Sequence, residues 1–259
     1  MLLNKMNPSI KALSILVSIL LLSIFFDPVT PLLSFVLTIA ITFILGKISF
    51  KNWILLFSPF LFMAIVYVWS SLMFPRVDPG DSIIWEWWFI TITAEGFQRS
   101  ISLGLRVLSF ASLSLLFALT TNPINFLLSL MQQCRLSPKI AYSIMAGYQF
   151  LPLIKDEFEI IRSAHRIRGA GRTETFLDKI KQIKKYAIPL LASGIRKAER
   201  TAIAMESKGF TGDRNREFYK EISVSKRDWL LLCLLIFIVL VSAFTSHKLG
   251  YLTLYKGEL

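Results

Sequence analysis

Apolar residues along this chain gather into five long runs, over residues 10–26, 29–45, 53–74, 101–119 and 229–246. A helix needs about 20 apolar residues to cross the hydrocarbon core of a bilayer, so each run predicts a transmembrane helix. The first two are short, and Asp27-Pro28 with Pro31 predicts a tight turn between them, which suits a shallow helical hairpin. Gln98-Arg99 leads into the fourth run. No small-residue cleavage site follows the first, which therefore reads as a retained span rather than a signal peptide.

Residues 121–227 carry a different pattern. Ser137-Pro138 starts a helix, with Ser as N-cap and Pro in the first helical position. That helix runs from Pro138 towards Arg168, apolar in its first half and charged in its second, with a kink expected at Pro152. In the charged half Ile154, Phe158, Ile161 and His165 keep helical spacing and form a stripe. Glu159 pairs with Arg162 at i,i+3, and Glu157 reaches Arg162 more loosely. Gly169 and Gly171 end the helix. A second helix runs from about Thr175 to Lys208, with an apolar face of Ile180, Ile183, Ala187, Leu190-Leu191, Ile195, Ala198, Ala202 and Met205. Pro189 predicts a kink, and Gly209 and Gly212 mark the end.

Composition places the chain in the membrane class: 54% hydrophobic and 18% charged residues, against about 45–50% and ~25% in soluble domains. Charge then orients it. The net charge is +12, and residues 121–227 hold 20 of the 29 Lys+Arg against 10 of the 17 Asp+Glu. The 75–97 connection is acidic, with Asp78, Asp81, Glu86 and Glu95 against Arg76. Lys and Arg near span ends favour the cytoplasmic side. The N-terminus, the 46–52 connection and residues 121–227 are therefore expected in the cytoplasm of a multi-pass plasma-membrane protein. The 75–97 loop, with Trp85, Trp87 and Trp88 suited to the interface, is expected outside, as is the C-terminal tail. If both helices of the central block crossed the membrane, residues 155–185 would carry nine Lys/Arg to the outside, against the charge rule. They read instead as amphipathic helices lying at the cytoplasmic interface. The fold expected is an all-α integral membrane protein: about five transmembrane helices plus two long cytoplasmic-side helices. Its parts are 1–120 (N-terminal spans), 121–227 (cytoplasmic-side helices) and 228–259 (last span and tail).

Catalytic patterns are missing from the sequence. No phosphate-binding loop occurs, since Gly46-Lys47 lacks the upstream glycine. There is no H-E-x-x-H, the two histidines His165 and His247 are far apart, and no nucleophile elbow occurs. Cys134 and Cys233 fit neither a disulfide framework nor a metal cluster. The first reads as a free cytoplasmic thiol, the second as a buried apolar filler. No enzyme activity, cofactor or metal is expected, and no recognised module points to nucleic acid.

Both central helices finish alike: apolar stripe, cation, glycine. Arg166 and Arg168 precede Gly169, and Glu206 and Lys208 precede Gly209. A cation at a helix C-terminus is locally favourable in any protein. Repetition in a membrane setting gives it a second meaning, because a cation on a rigid helix end can dock in a partner's groove against a carboxylate.

Around these residues the chain resembles the transmembrane (T) component, of EcfT/CbiQ type, of energy-coupling factor ABC transporters. The pieces occur in order: Thr120-Thr121-Asn122-Pro123 with Phe126-Leu127, Leu136-Ser137-Pro138, Phe150-Leu151-Pro152, Ala164-His165-Arg166-Ile167-Arg168-Gly169, and Ala204-Met205-Glu206-Ser207-Lys208-Gly209-Phe210. The last two resemble the family's paired Ala-Arg-Gly regions. They depart from it at Ile167, at Ser207 and at Lys208, whose point charge replaces a planar five-donor fork. The resemblance implies two ABC-type ATPase partners, each receiving one helix end. It also implies a small substrate-binding membrane subunit packed on the apolar helix faces, for uptake of a vitamin or a transition-metal ion.

Two further groups stand out. Arg99 and Arg106 share one face of the fourth span. Arg99 reaches the outer interface, whereas Arg106 lies deeper, where a charge marks either a functional site or a structural bond inside the bundle. Ala146-Gly147 and Ser193-Gly194 are small pairs that would let the long helices cross closely, or contact the substrate-binding subunit. A scaffold whose basic helices bind anionic lipid is the competing reading. A stand-alone channel or carrier would need a polar path, and apart from Arg106 the spans offer little of one.

Overall fold

The computed structural model of the chain describes residues 3–46, 48–73, 83–87, 90–168, 176–214 and 216–251. After a 3-10 turn at Leu3–Lys5, these residues form α1 (Pro8–Ile24), α2 (Val29–Gly46), α3 (Phe50–Met73), α4 (Ala94–Thr120), α5 (Pro123–Gln133), α6 (Pro138–Ile167), α7 (Phe176–Ser207) and α8 (Lys226–Lys248). A short antiparallel hairpin, β1 (Ile83–Trp87) with β2 (Ile90–Thr93), lies between α3 and α4. Four helices (α2, α3, α4 and α8) are long and apolar enough to span a membrane, and α1 is a shorter apolar helix of 17 residues. This is the helical membrane architecture expected. The hairpin and α5 are additions. Asn122 starts α5 by accepting the Ile124 N–H (2.9 Å).

The chain divides into two compact units, Met1–Ser129 with Ile222–Leu259, and Leu130–Glu221. In the first, α3 packs on α4, and α1 and α2 each pack mainly on α4 and α8. The expected shallow α1–α2 hairpin is therefore replaced. The turn at Asp27 forms, but α8 and α4 supply the packing surface for both helices.

The interior of this unit is polar where its exterior is apolar. Thr30, Ser34, Thr38 and Thr42 recur every fourth residue and line the buried side of α2, while Leu32, Val36, Leu37 and Ile44 face outward. The buried side of α1 carries Lys11, Ser14 and Ser18, and that of α8 carries Ser242 and Ser246. Lipid solvates the apolar side as well as protein does, so helix association selects small residues and hydroxyls inside. No water is available there, so an inward hydroxyl is favoured where a carbonyl can take its proton; Thr30 Oγ1 and Ser34 Oγ are exceptions with no partner among the described residues. Ser14 and Ser18 donate to the carbonyls one turn back, as do Thr42 and Ser242. Ser109 of α4 donates across to the Pro31 carbonyl at 2.7 Å. Apolar packing completes the interior with Leu113, Leu116, Leu231 and Leu235, and a separate aromatic group stacks Trp53 on Phe57 at 4.5 Å.

Asp27 organises the α1–α2 turn and is fully buried. Its Oδ2 accepts the Thr30 N–H at 2.7 Å, which caps α2, and the Ser246 hydroxyl at 2.6 Å, which ties the turn to α8. Ser102 of α4 donates to its carbonyl at 2.9 Å. Close crossing by a small residue occurs between α3 and α4, where a Cβ on Gly104 would stand 2.3 Å from Val68 Cγ2. Cys233 is exposed, not buried. It lies on the outer, apolar side of α8, where a thiol needs no packing partner.

Asp27→Ala removes an acceptor from two bonds, each worth about 1.5–3 kcal/mol when one partner is charged. Its detergent-solubilised form is expected to lose monodispersity several degrees below the parent in a thermal gel-filtration assay. Ser23→Ala, which removes an exposed hydroxyl bonded within its own turn, is expected to leave the midpoint unchanged.

Candidate functional site

The second unit is built on α6 and α7, which pack antiparallel: Tyr142 meets Phe210, Glu157 meets Ser193 and Lys197, and His165 meets Tyr186. The centre is held by Glu157. Its carboxylate accepts the Ser193 hydroxyl at 2.8 Å and the Lys197 ammonium. These two bonds hold the Glu157 carboxyl below its usual pKa. The looser Glu157–Arg162 pair expected from sequence is replaced by this link. Five residues on one helix lie roughly 140° apart, whereas α7 places its cation directly opposite. Arg162 pairs with Glu159 as expected, at 3.9 Å.

Phe158, Ile161 and His165 turn their half-buried side towards α7, and Tyr186 receives the edges of Phe158 (5.6 Å) and His165 (5.3 Å). The α7 stripe differs from the expected one. Tyr186, Ala187, Leu190, Ser193, Lys197, Thr201 and Met205 are among the half-buried or buried positions, so Ala187, Leu190 and Met205 of the expected stripe are on the packed side, whereas Ile183, Leu191, Ile195, Ala198 and Ala202 are exposed. Hydrophobicity alone misplaced the stripe because the packed face includes a serine and a lysine paired to Glu157. The more apolar face is left outward, continued on α6 by Ile140, Ile144, Tyr148 and Leu151.

Ser193 is buried at the crossing, while Cβ atoms on Gly147 and Gly194 would meet nothing within 4 Å. The glycines are not what brings α6 and α7 together. Gly194 borders a small groove of about 60 Å³ at the crossing, with Phe150, Leu153, Ile154 and Leu190. Ala146 is half-buried and Gly147 exposed.

The two helix ends point away from each other. Arg168 lies roughly 16 Å beyond Glu157 along α6, and Lys208 roughly 22 Å beyond Ser193 along α7, in opposite directions. Pro138 starts α6 as expected, yet Ser137 makes no side-chain cap and only its carbonyl is used, by the Ala141 N–H. At the far end the Arg168 N–H bonds the Ala164 carbonyl at 3.2 Å, and Arg166, Ile167 and Arg168 are exposed. Gly169, with Gly171, lies outside the described residues.

The α7 end is fully defined. Gly209 takes φ +81°, its N–H bonds the Glu206 carbonyl at 2.9 Å, and the Phe210 N–H bonds the Met205 carbonyl at 3.0 Å. This is a Schellman termination, which needs a residue tolerant of positive φ. Glu206 and Lys208 stand exposed beside it. Phe210 then folds onto Tyr142, with ring centroids 5.3 Å apart, and the Arg216 guanidinium lies over both rings at 5.0 and 5.3 Å. Sequence reasoning placed Phe210 in the motif but missed Tyr142 and Arg216. The apolar residue that normally follows such a glycine was the available signal.

Arg106, in the first unit, is buried. It donates to the Phe25 carbonyl and lies over the Phe26 ring at 4.1 Å, near the Asp27 carboxylate. Of the two expectations, the structural one describes it: the guanidinium bonds the end of α1. Arg99, one helix face above, is exposed.

A bundle of apolar helices with a cationic, amphipathic helix pair defines a helical integral membrane protein. The family model described as cobalt transport protein, CbiQ, matches residues 1–219, and the chain belongs to that family. Its relatives include proteins named energy-coupling factor transporter transmembrane protein EcfT. The one from Macrococcus caseolyticus is 28% identical over 217 residues, covering 81% of this chain and 82% of the relative. That of Streptococcus equi subsp. equi is 27% identical over 243 residues, covering 90% and 88%. That of Exiguobacterium sibiricum is 30% identical over 186 residues, covering 69% and 70%. The chain is accordingly a T-component-like membrane subunit of energy-coupling factor transporters.

A carboxylate whose pKa falls on folding adds stability above its unfolded pKa of about 4.3 and loses it as pH drops through the lower folded value. Glu157→Gln is therefore expected to lower the thermal midpoint at pH 7. The difference from the parent should vanish once pH falls well below 4 on the ordinary carboxylate scale. Gly209→Ala forces a Cβ into positive φ and is expected to cost about 1 kcal/mol, read as a lower midpoint and as faster proteolysis after Lys208.

Proposed function

We propose that this chain couples ATP-driven motion of two ABC-type ATPase subunits to a separate substrate-binding membrane subunit, for uptake of a vitamin or a transition-metal ion. The observation that carries this reading is the pair of exposed cationic ends, Arg166/Arg168 and Lys208, at opposite extremities of one antiparallel helix pair pinned at its centre by Glu157. Two ends facing opposite ways suit two copies of one kind of partner. A pinned crossing lets displacement of either end tilt the whole pair, as on a lever. The relatives are named as transmembrane proteins of energy-coupling factor transporters, which supports placement in such an assembly.

In this mechanism residues 121–227 and the N-terminus face the cytoplasm of a plasma-membrane protein. Arg168 meets a carboxylate of one ATPase through its planar fork, and Lys208 meets the other as a point charge. Gly209 stops α7 where its cation must project, and Glu206 flanks that contact. ATP binding draws the ATPases together and moves the two ends. The outward apolar faces of α6 and α7, with the exposed Gly147 and Gly194 beside the half-buried Ala146, carry the substrate-binding subunit and reorient it, while the buried Ser193 holds the crossing behind them. ATP is hydrolysed by the partners and not by this chain.

Capture of tagged, detergent-solubilised protein from native membranes, with mass spectrometry of what comes with it, tests the reading. P-loop ATPases are expected with the parent, reduced at least tenfold by Arg168→Glu and by Lys208→Glu, since losing a charge-assisted contact of about 1.5–3 kcal/mol has that effect. Binding to anionic vesicles should barely change, because 18 other cations remain in residues 121–227. Capture of no ATPase by the folded parent would overturn the coupler and favour the lipid-bound scaffold.

A further inference from the structure

The chain turns from α4 into α5 at Thr120–Thr121, leaves the first unit within α5 after Ser129 and returns to it at Ile222 before α8, and one buried polar node holds the start and the close of this excursion. Lys11, on the first turn of α1, is 1% exposed. Its ammonium donates to the Leu3 carbonyl (2.7 Å), the Thr120 carbonyl (3.1 Å), Thr120 Oγ1 (3.2 Å) and Thr121 Oγ1 (3.2 Å). Thr120 is the last residue of α4 and Thr121 its C-cap, so a buried cation stands on the negative end of that helix dipole and satisfies an orphan carbonyl.

On the other side Asp228, 3% exposed, occupies the first turn of α8. Its Oδ2 accepts the Ser225 N–H at 2.7 Å, closing a capping box, and its Oδ1 accepts the Asn7 N–H at 2.9 Å. Asn7, the N-cap of α1, reaches the Ser223 carbonyl at 3.4 Å. Lys11 and Asp228 also attract each other across the α1 start. Beside them Ser9 donates to Ser129 Oγ at 2.7 Å, tying α1 to α5. A lysine and an aspartate in the first turn of a span pass for ordinary flanking charges, yet these two are buried and bonded by the chain's own connections.

We propose that Lys11 and Asp228 are positioning residues. They clamp the α4–α5 junction (Thr120–Thr121), which leads the chain out, and the returning connection (Ser223–Ser225) to the start of α1, so that motion of residues 130–221 is delivered to α1, α4 and α8 and is not absorbed in slack joints. The clamp itself stands on geometry alone, and its part in transmission rests on the coupler reading given above.

Two measurements separate these. In the purified chain, Lys11→Met keeps the stem and removes the charge. Hydrogen exchange is expected to speed about tenfold or more at residues 118–126 and also at 222–228, which Lys11 does not touch. Asp228→Asn is expected to loosen the same two segments. A change confined to each variant's own side would overturn the clamp. Should Lys11→Met fail to insert, Thr121→Val removes one of the four contacts and is expected to loosen both segments to a smaller degree, with a one-sided change again overturning it.

In the complex captured with its ATPases, ATP with vanadate is expected to alter exchange in both 130–221 and 8–24 of the parent. In Lys11→Met the change in 130–221 is expected to persist while that in 8–24 is lost. Persistence of both at parental size overturns the positioning role. Absence of ATPases from the parent complex overturns the coupler while leaving the clamp to the first measurement.

Discussion

Water is unavailable to polar groups inside a bilayer, and each group placed there must be satisfied by protein. That requirement shapes the first unit of this chain. Its helices turn Ser and Thr inward and leucine and phenylalanine outward, the reverse of a soluble bundle. Inside, Ser14, Ser18, Thr42, Ser109 and Ser242 bond carbonyls of their own or of a neighbouring helix, whereas Thr30 Oγ1 and Ser34 Oγ have no partner among the described residues. The same requirement explains why the buried charges named here each bond the chain's own backbone. Asp27 caps α2 and ties α8, Arg106 bonds the end of α1, Lys11 caps α4, and Asp228 caps both α8 and α1. Each charge secures a chain reversal or a helix terminus, the places where backbone groups lack partners within their own helix.

The second unit follows other rules. Among its described residues α6 and α7 expose much of their apolar surface, and their mutual packing is sparse. They are held by a charge-assisted link at Glu157, by the Tyr186 ring against Phe158 and His165, and by the Phe210–Tyr142–Arg216 stack at the α7 terminus. A helix pair joined at discrete points, with long free faces, is suited to moving as levers against partners. A continuous hydrophobic seam would suit rigid support instead. The Schellman end at Gly209 fixes the direction in which Lys208 leaves the helix, and the aromatic stack behind it resists twisting of that end.

Lys208 stands where the resembling family carries arginine. A lysine keeps the charge and loses bidentate geometry, so the two ends of the pair are chemically unequal. In the coupler proposed above, two copies of one partner, or two related partners of different affinity, would both meet an asymmetric pair of ends. At the Lys208 end the glycine termination itself is intact at Gly209.

Local sequence determined the helices themselves. Bilayer-length apolar runs have one stable backbone form in lipid, so the spans were legible, as were the Pro138 start, the Gly209 stop and the turn at Asp27. The cationic helix ends were legible too, because charge, stripe and glycine are neighbours in sequence. Partner choice between helices was not. Whether α1 packs on α2 or on α8 depends on which small and hydroxyl faces fit, and the apolar content of each run is silent on that. The sequence assigned Glu157 to a neighbour on its own helix, and only the antiparallel approach of α7 brought Lys197 and Ser193 to it. Lys11 and Asp228 looked like flanking charges near the membrane surface. They became buried caps of two helix ends because tertiary packing brings the start of α1, the end of α4 and the start of α8 together, and an unpaired carbonyl or N–H at those ends would otherwise have no partner.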